Sequence, residues 1–332
     1  MSLSRIKLLV EKRILMDLSL IITRRIAIGV VTVLVVSLIV FAGTELLPGN
    51  VAQAILGPGA TPEAIANINA RLGLNQPAHI RYIHWFGNLL HGDMGTSLVS
   101  GREVSVLISE RSSNTFLLAG VTAIVAVPLS IVLGLIASTK PNGLIDKSIS
   151  AITLTLISIP DFLVAIILVS IFSVHFGWLP ALSKIRPDSN FFELARMLVL
   201  PVTALSFTII AHMTRMTRTA VLNELTSPAI EMAILKGVPK YRLLLVHALS
   251  NAIAPIINVI ALNLAYLISG VVVIEMLFNL NGLGKLMVEA VTNRDIPLVQ
   301  GCAMLFCAVY VLLNLFADTI SIIANPRIRH PK

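Results

Sequence analysis

The sequence predicts an all-α membrane protein with six transmembrane helices. Three observations carry that prediction. Apolar residues make up 56% of the 332 residues, and mean hydropathy is +0.89. Charged residues are 13% of the chain, about half of the quarter that a water-facing surface needs. Six apolar windows are free, or nearly free, of charge, and each is long enough to cross a hydrocarbon core about 30 Å thick. A soluble globular enzyme and a disordered chain are both excluded. The windows are continuously apolar, whereas barrel strands would alternate, so the spans are helices that satisfy their own backbone hydrogen bonds.

The windows are Ile26–Thr44, Ser112–Thr139, Ser148–Ser183 (interrupted by Asp161), Met197–Thr214, Leu243–Ile274 and Ile296–Ala317. Trimmed to single crossings they become 26–46, 114–137, 153–176, 197–215, 251–274 and 300–323. Six crossings put both termini on one side. The segments on that side, 1–25, 138–150, 215–250 and 324–332, hold 16 Lys and Arg against five acids. The opposite segments hold nine of each. An excess of basic residues marks the cytoplasmic side, so the N and C termini are expected there. The formal charge of +8 is thereby read as topology, and nucleic acid is not expected as a partner.

Residues 1–25 form a cytoplasmic or interfacial segment. Leu3, Ile6, Val10, Ile14 and Leu18 recur at helical spacing, which fits an amphipathic helix lying on the lipid surface. Met16 offers a second start, which would make the segment a dispensable extension; both readings stand. The span at 26–46 is too long for a signal-peptide core and lacks a small-x-small exit, so it is expected to be retained.

Two connections are much longer than helix links need to be. The loop 47–113 is read as an extracytoplasmic cap. Within it Thr61-Pro62-Glu63 supplies a cap, an N-terminal proline and a first-turn acid, and Gly73 stops that helix. Ile80, Ile83, Phe86 and Leu90 predict a second helix, with Tyr82 and Trp85 placed for an interfacial belt. The second long connection lies in a five-helix core, 114–324, and forms an elbow at 227–250. Ser227-Pro228 opens a short helix with Glu231 near its positive end, Gly237 stops it, and Pro239 opens the next helix, which leads into the fifth span. So short a helix is unstable alone in water and needs something to pack against. Residues 325–332 form a cytoplasmic tail.

No chemical motif is found. Gly282-Leu283-Gly284-Lys285-Leu286 fails as a phosphate loop, because Asn279 stands where the leading glycine belongs and Leu286 where Ser or Thr should hold magnesium. His79, His84 and His91 lack acids at metal-site spacing. Cys302 and Cys307 lie in an apolar stretch and pack as small hydrophobes. No catalytic, cofactor or metal residues are assigned.

The elbow carries a resemblance. Glu231-Met232-Ala233, three residues and then Gly237 is similar to the E-A-A-x-x-x-G signature of ABC importer permeases, with Met232 replacing its second residue. Ala233, Lys236 and Gly237 match the A-x-x-K-G form of the peptide branch, and Ser250 stands where the fuller signature has proline. Leu47-Pro48-Gly49, Leu56-Gly57-Pro58, Leu72-Gly73-Leu74, Gly92-Asp93-Met94-Gly95-Thr96-Ser97, Ser158-Ile159-Pro160, Gly177-Trp178-Leu179-Pro180, Gly282-Leu283-Gly284 and Asn325-Pro326-Arg327-Ile328-Arg329 follow in the same order. Asn281 departs from a common proline. Together these segments resemble the B-type permease subunit of dipeptide, oligopeptide and nickel importers.

The resemblance implies a type I ABC importer permease fold in the bacterial inner membrane. It implies four partners beside membrane lipid: a second homologous permease, two cytoplasmic ATP-binding subunits and an extracytoplasmic substrate-binding protein. ATP hydrolysis would belong to those subunits, and Glu231, Met232, Ala233, Lys236 and Gly237 would form the coupling helix that meets them. Short peptides lead as solute, with nickel complexes, glutathione and sugar conjugates as alternatives. Ionisable residues within spans are candidates for the path. Asp161 either lines the pathway and meets a substrate ammonium or serves as an intersubunit or helix-packing partner, and Glu275 suits an outer gate or ordinary interfacial solvation. Asp318 is read as structural. Two rivals are carried: a secondary transporter, which would need inverted repeats, and a membrane enzyme, which would need a nucleophile with its base or a metal set.

Overall fold

The computed structural model describes residues 3–46, 59, 61–71, 73, 75–185 and 188–324. The motifs at Leu47-Pro48-Gly49, Leu56-Gly57-Pro58 and Asn325–Arg329, and the tail 325–332, lie outside the described residues. Helices make up the architecture: α1 (Leu3–Glu45), α2 (Pro62–Arg71), α3 (Ala78–Leu90), α4 (Val104–Thr139), α5 (Leu144–Ser158), α6 (Asp161–Leu168), α7 (Phe191–Leu225), α8 (Pro228–Leu235), α9 (Leu249–Leu277), α10 (Leu283–Thr292) and α11 (Ile296–Ala324). Two π-helical segments interrupt the α geometry, Val169–His175 after α6 and Leu243–Ala248 before α9. Among the described residues extended backbone pairs only at an isolated bridge between Thr96 and Glu103.

Among the described residues five helices are long and apolar enough to cross a membrane, and up to six if α5 and α6 with its π continuation to His175 count as one span. The third span departs from expectation here. It is not one helix over 153–176, because the chain turns by 98° between α5 and α6. Pro160 is the cause: it has no N–H to continue the ladder and disfavours helix at the residue before it. Ile159 accordingly sits at φ −99° and ψ 123°. The second span also differs, since α4 begins at Val104 and shortens the cap connection to residue 103. The segment 1–25 is not separate either, because α1 runs through it into the first span. Its 43 residues reach roughly 65 Å at 1.5 Å per residue, about twice a hydrocarbon core.

Small residues let the central helices approach. A Cβ on Gly134 of α4 would lie 2.8 Å from the Cβ of Thr217 on α7, and Ser130, Gly134, Thr214 and Thr217 are all buried. Such contacts take the place of hydrophobic driving force between helices in lipid. Around this seam Leu118, Leu205, Ile209, Met213, Leu267, Val271 and Ile274 form the main core from α4, α7 and α9. Pro201 inside α7 frees the carbonyl of Met197, which accepts a hydrogen bond from Ser183 Oγ at 2.6 Å. That is how a proline is tolerated in a spanning helix.

Helix α1 packs on α11, and its second half is held at both ends. Arg25 pairs with Asp318 at 2.9 Å, and Gln300 Nε2 donates to Thr44 Oγ1 at 2.8 Å. The Tyr82 hydroxyl of α3 meets Ser37 at 2.8 Å, and Phe41, Tyr82, Trp85 and Phe86 cluster around it. The two cap helices, α2 and α3, form where the sequence predicts them. Ala64 N donates to Thr61 Oγ1 at 3.3 Å, and Gly73 takes φ +65°.

Candidate functional site

The elbow is built from local rules. Pro228 occupies the first turn of α8, and Glu231 N donates to the Ser227 carbonyl at 3.2 Å. At the other end Gly237 adopts φ +75°. Gly237 N donates to Ile234 O at 2.9 Å and Val238 N to Ala233 O at 3.1 Å. This is a Schellman stop, which needs a left-handed residue and favours glycine there. Pro239 then begins Lys240–Arg242, the π segment and α9, which continue without a break.

One side chain of α8 is fully buried. Ile230 is 2% exposed and enters a small core with Val221, Leu243, Ala248, Ala252 and Ile256, joined by the partly buried Ala233 and Val238. Exposed along the helix are Met232 (56% exposed), Ile234 (55%) and Leu235 (81%), and Tyr241 (69%) follows just beyond it. Of the residues singled out in the sequence, Glu231, Met232, Lys236 and Gly237 are exposed and Ala233 is half-buried. They come together on one short, capped lever between α7 and α9.

Asp161 stands in the first turn of α6, just past the bend. Its Oδ1 accepts a hydrogen bond from Thr208 Oγ1 of α7. Tyr266 of α9 interacts with the same carboxylate, and a Cβ on Gly270 would lie 3.6 Å from it. Asp161 therefore joins three helices near the middle of the bundle.

Glu275 is at the far end of α9 from the elbow, with no exposed surface. Thr115 Oγ1 of α4 donates to its Oε1 at 2.5 Å, and Lys285 N donates to its Oε2 at 3.0 Å. Gly284 N is also directed at it, while Leu283 N donates to Thr115 Oγ1 at 2.8 Å. The carboxylate thus occupies the amino end of α10, where free N–H groups and the helix dipole favour an anion. Gly282 is required by this arrangement, because a Cβ there would fall 2.0 Å from Oε1. The glycine-rich stretch that fails as a phosphate loop is a helix start whose anion belongs to the chain itself. Asn281 fits the turn: its carbonyl accepts from Asn114 Nδ2 at 2.8 Å, and its side chain from Lys285 Nζ at 3.1 Å.

Sequence reasoning missed two other buried carboxylates. Asp295, 1% exposed, accepts from Ser97 Oγ at 2.5 Å and from Leu98 N at 3.1 Å, tying the Gly92–Ser97 motif to the start of α11. Asp146, 2% exposed, accepts from Arg218 Nε at 2.5 Å and Nη2 at 2.7 Å. Both charges of that pair were counted only as loop charges setting topology. The available signal was an acid one turn into a helix on the side where acids are few.

Long apolar helices, an end closed by internal carboxylates and a protruding rigid elbow define a multi-pass helical membrane component. Residues 130–330 match the family described as the binding-protein-dependent transport system inner membrane component, and residues 18–118 match its N-terminal region. This chain belongs to that family, which comprises transport permeases of the inner membrane rather than catalysts. It is 34% identical to the "Probable peptide ABC transporter permease protein y4tP" of Sinorhizobium fredii over 309 residues, 93% of this chain and 99% of that protein. It is 36% identical to the glutathione transport system permease protein GsiC of Salmonella typhimurium over 299 residues, 90% of this chain and 95% of that one. An inward-facing structure of the MetNI methionine ABC transporter aligns with a TM-score of 0.49 at 18% identity, over 66% of this chain and 96% of that chain.

Proposed function

We propose that this chain is the half of an ABC importer that carries short peptides, or related solutes such as glutathione, and is driven through α8 by separate ATP-binding subunits. In this reading the elbow end faces the cytoplasm, consistent with the basic residues gathered there. The partners are a second permease, two ATPase subunits and an extracytoplasmic binding protein. The observation that carries the reading is the elbow. A helix of eight residues is held rigid by Ile230 beneath and by the Gly237 stop, while Met232, Ile234 and Leu235 face outward. Apolar side chains exposed on a charged cytoplasmic loop call for a cover, and the groove of an ATPase subunit supplies one.

Closure of the two ATPase subunits would bring their grooves together and carry the elbows with them. Each elbow is continuous with α9 through the π segment and joined to α7 by Thr226 and Ser227. Its displacement therefore acts on both helices and shifts the bundle between two packings. In this reading Asp161, where α6, α7 and α9 meet, senses or contacts solute. Glu275, which fixes α10 to α9, holds the outer gate by making the two move together. Peptide is the solute best supported, because it appears in the name of a relative that matches nearly the full length.

Gly237→Pro and Glu231→Lys are the test. Both should abolish uptake in reconstituted vesicles while the chain still co-purifies with its partner permease. Normal solute-stimulated ATP hydrolysis in these variants would refute the role of the elbow. A panel of peptides and metal complexes offered to the cognate binding protein identifies the solute.

A further inference from the structure

We infer that Asp146 and Arg218 form a positioning pair that fastens α5 to α7, so that the bent α5–α6 segment and Asp161 travel with α7 when the elbow moves. The inference rests on the elbow reading above and extends it to a third helix. Arg218 grips both oxygens of Asp146, and the carboxylate also accepts from Asn142 N at 2.8 Å and Ser150 Oγ at 3.4 Å. A bidentate guanidinium–carboxylate pair fixes distance and orientation together.

No apolar side chain of α5 is fully buried, Ile149, Leu156 and Ile157 being half-buried. Asp146 and Thr153 are its buried residues, while Leu144, Ile145, Ile152 and Leu154 are exposed. The second attachment lies beyond the bend, where Thr208 of α7 bonds Asp161. Thr208 and Arg218 are separated along α7 by roughly 15 Å at 1.5 Å per residue. The α5–α6 segment is thus pinned to one helix before and after its 98° turn, which prevents the turn from acting as a hinge. Motion delivered to the lower part of α7 then reaches the Asp161 carboxylate without being absorbed on the way.

The experiment uses the assembled transporter, with its ATPase subunits and binding protein, in lipid vesicles. Spin labels are placed at Ile152→Cys on α5 and Met216→Cys on α7, both exposed, in a Cys302→Ala, Cys307→Ala background. In the parent the separation of the labels should be the same with and without ATP. Arg218→Lys keeps the charge but loses the fork. It should let the separation change with nucleotide and lower the solute carried per ATP about tenfold, ATP hydrolysis being retained. Asp146→Asn should do the same, and Arg218→Lys keeps the test open if Asp146→Asn fails to fold. A parent separation that changes with ATP, or Arg218→Lys with unimpaired solute per ATP, overturns the proposal. A cysteine at Leu235 distinguishes the two levels. If it does not cross-link to an ATPase subunit, the elbow reading falls and takes this coupling role with it. If it does cross-link while the parent separation changes, the Asp146–Arg218 pair alone is overturned.

Discussion

The cap-end carboxylates and the elbow helix α8 present opposite solutions to exposed and buried groups. At the cap end the carboxylates of Glu275 and Asp295 are buried, and each is bonded by side chains and amides of this same chain. At the elbow end Ile230 is buried, but Met232, Ile234 and Leu235 are left facing out. A buried charge is tolerable only when its partners are in place, so the cap end completes itself within one chain. The elbow end is complete as backbone and incomplete as surface. The comparison separates residues that hold the chain together from residues that nothing in this chain covers.

Substitutions can break this contrast, and the largest effect should come at the cap end. Gly282→Ala would force the Glu275 carboxylate out of its site, freeing the amides of α10 and the Thr115 hydroxyl. A loss of about 3 kcal/mol is expected, read as a lowered melting temperature of the purified chain in detergent. Ser97→Ala should come next. It removes one of two bonds to the buried Asp295 carboxylate and is expected to cost about 1 kcal/mol in the same melt, while protease cleavage within residues 92–103 becomes faster. Leu235→Ser should be smallest in the isolated chain, within about 0.5 kcal/mol of the parent. Its effect belongs to the assembly, where uptake and co-purification of ATPase subunits should both decline. A large loss of stability in isolated Leu235→Ser would erase the distinction between the two ends.

Much of this arrangement was legible before folding. The stop at Gly237 follows from a glycine two residues before a proline, and the start of α2 from Thr61-Pro62-Glu63. The apolar windows gave the long helices because a span in lipid is a property of consecutive residues. The start of α4 was not legible, because Glu103, Glu110 and Arg111 read as loop; Glu110 instead pairs with Arg102 at 2.5 Å on the surface of the first helical turns. Helix α10 was not foreseen either, since its start is defined by a carboxylate at Glu275 that folds back onto it. The 98° turn at Pro160 was not legible either, because the apolar run through 153–176 reads as one span.

By itself the sequence determined which segments are long and apolar enough to cross a membrane, the stops at Gly73 and Gly237, and which loop carries the elbow. Hydropathy, glycine and proline act over a few neighbouring residues, and their effects survive in any fold. Only the tertiary structure decided that Glu275 seals a helix end, that Asp146 and Arg218 meet across 72 positions, and which face of α8 is left uncovered. A buried charge takes its partners from whatever the packing brings within about 3 Å, and separation along the chain carries no information about that.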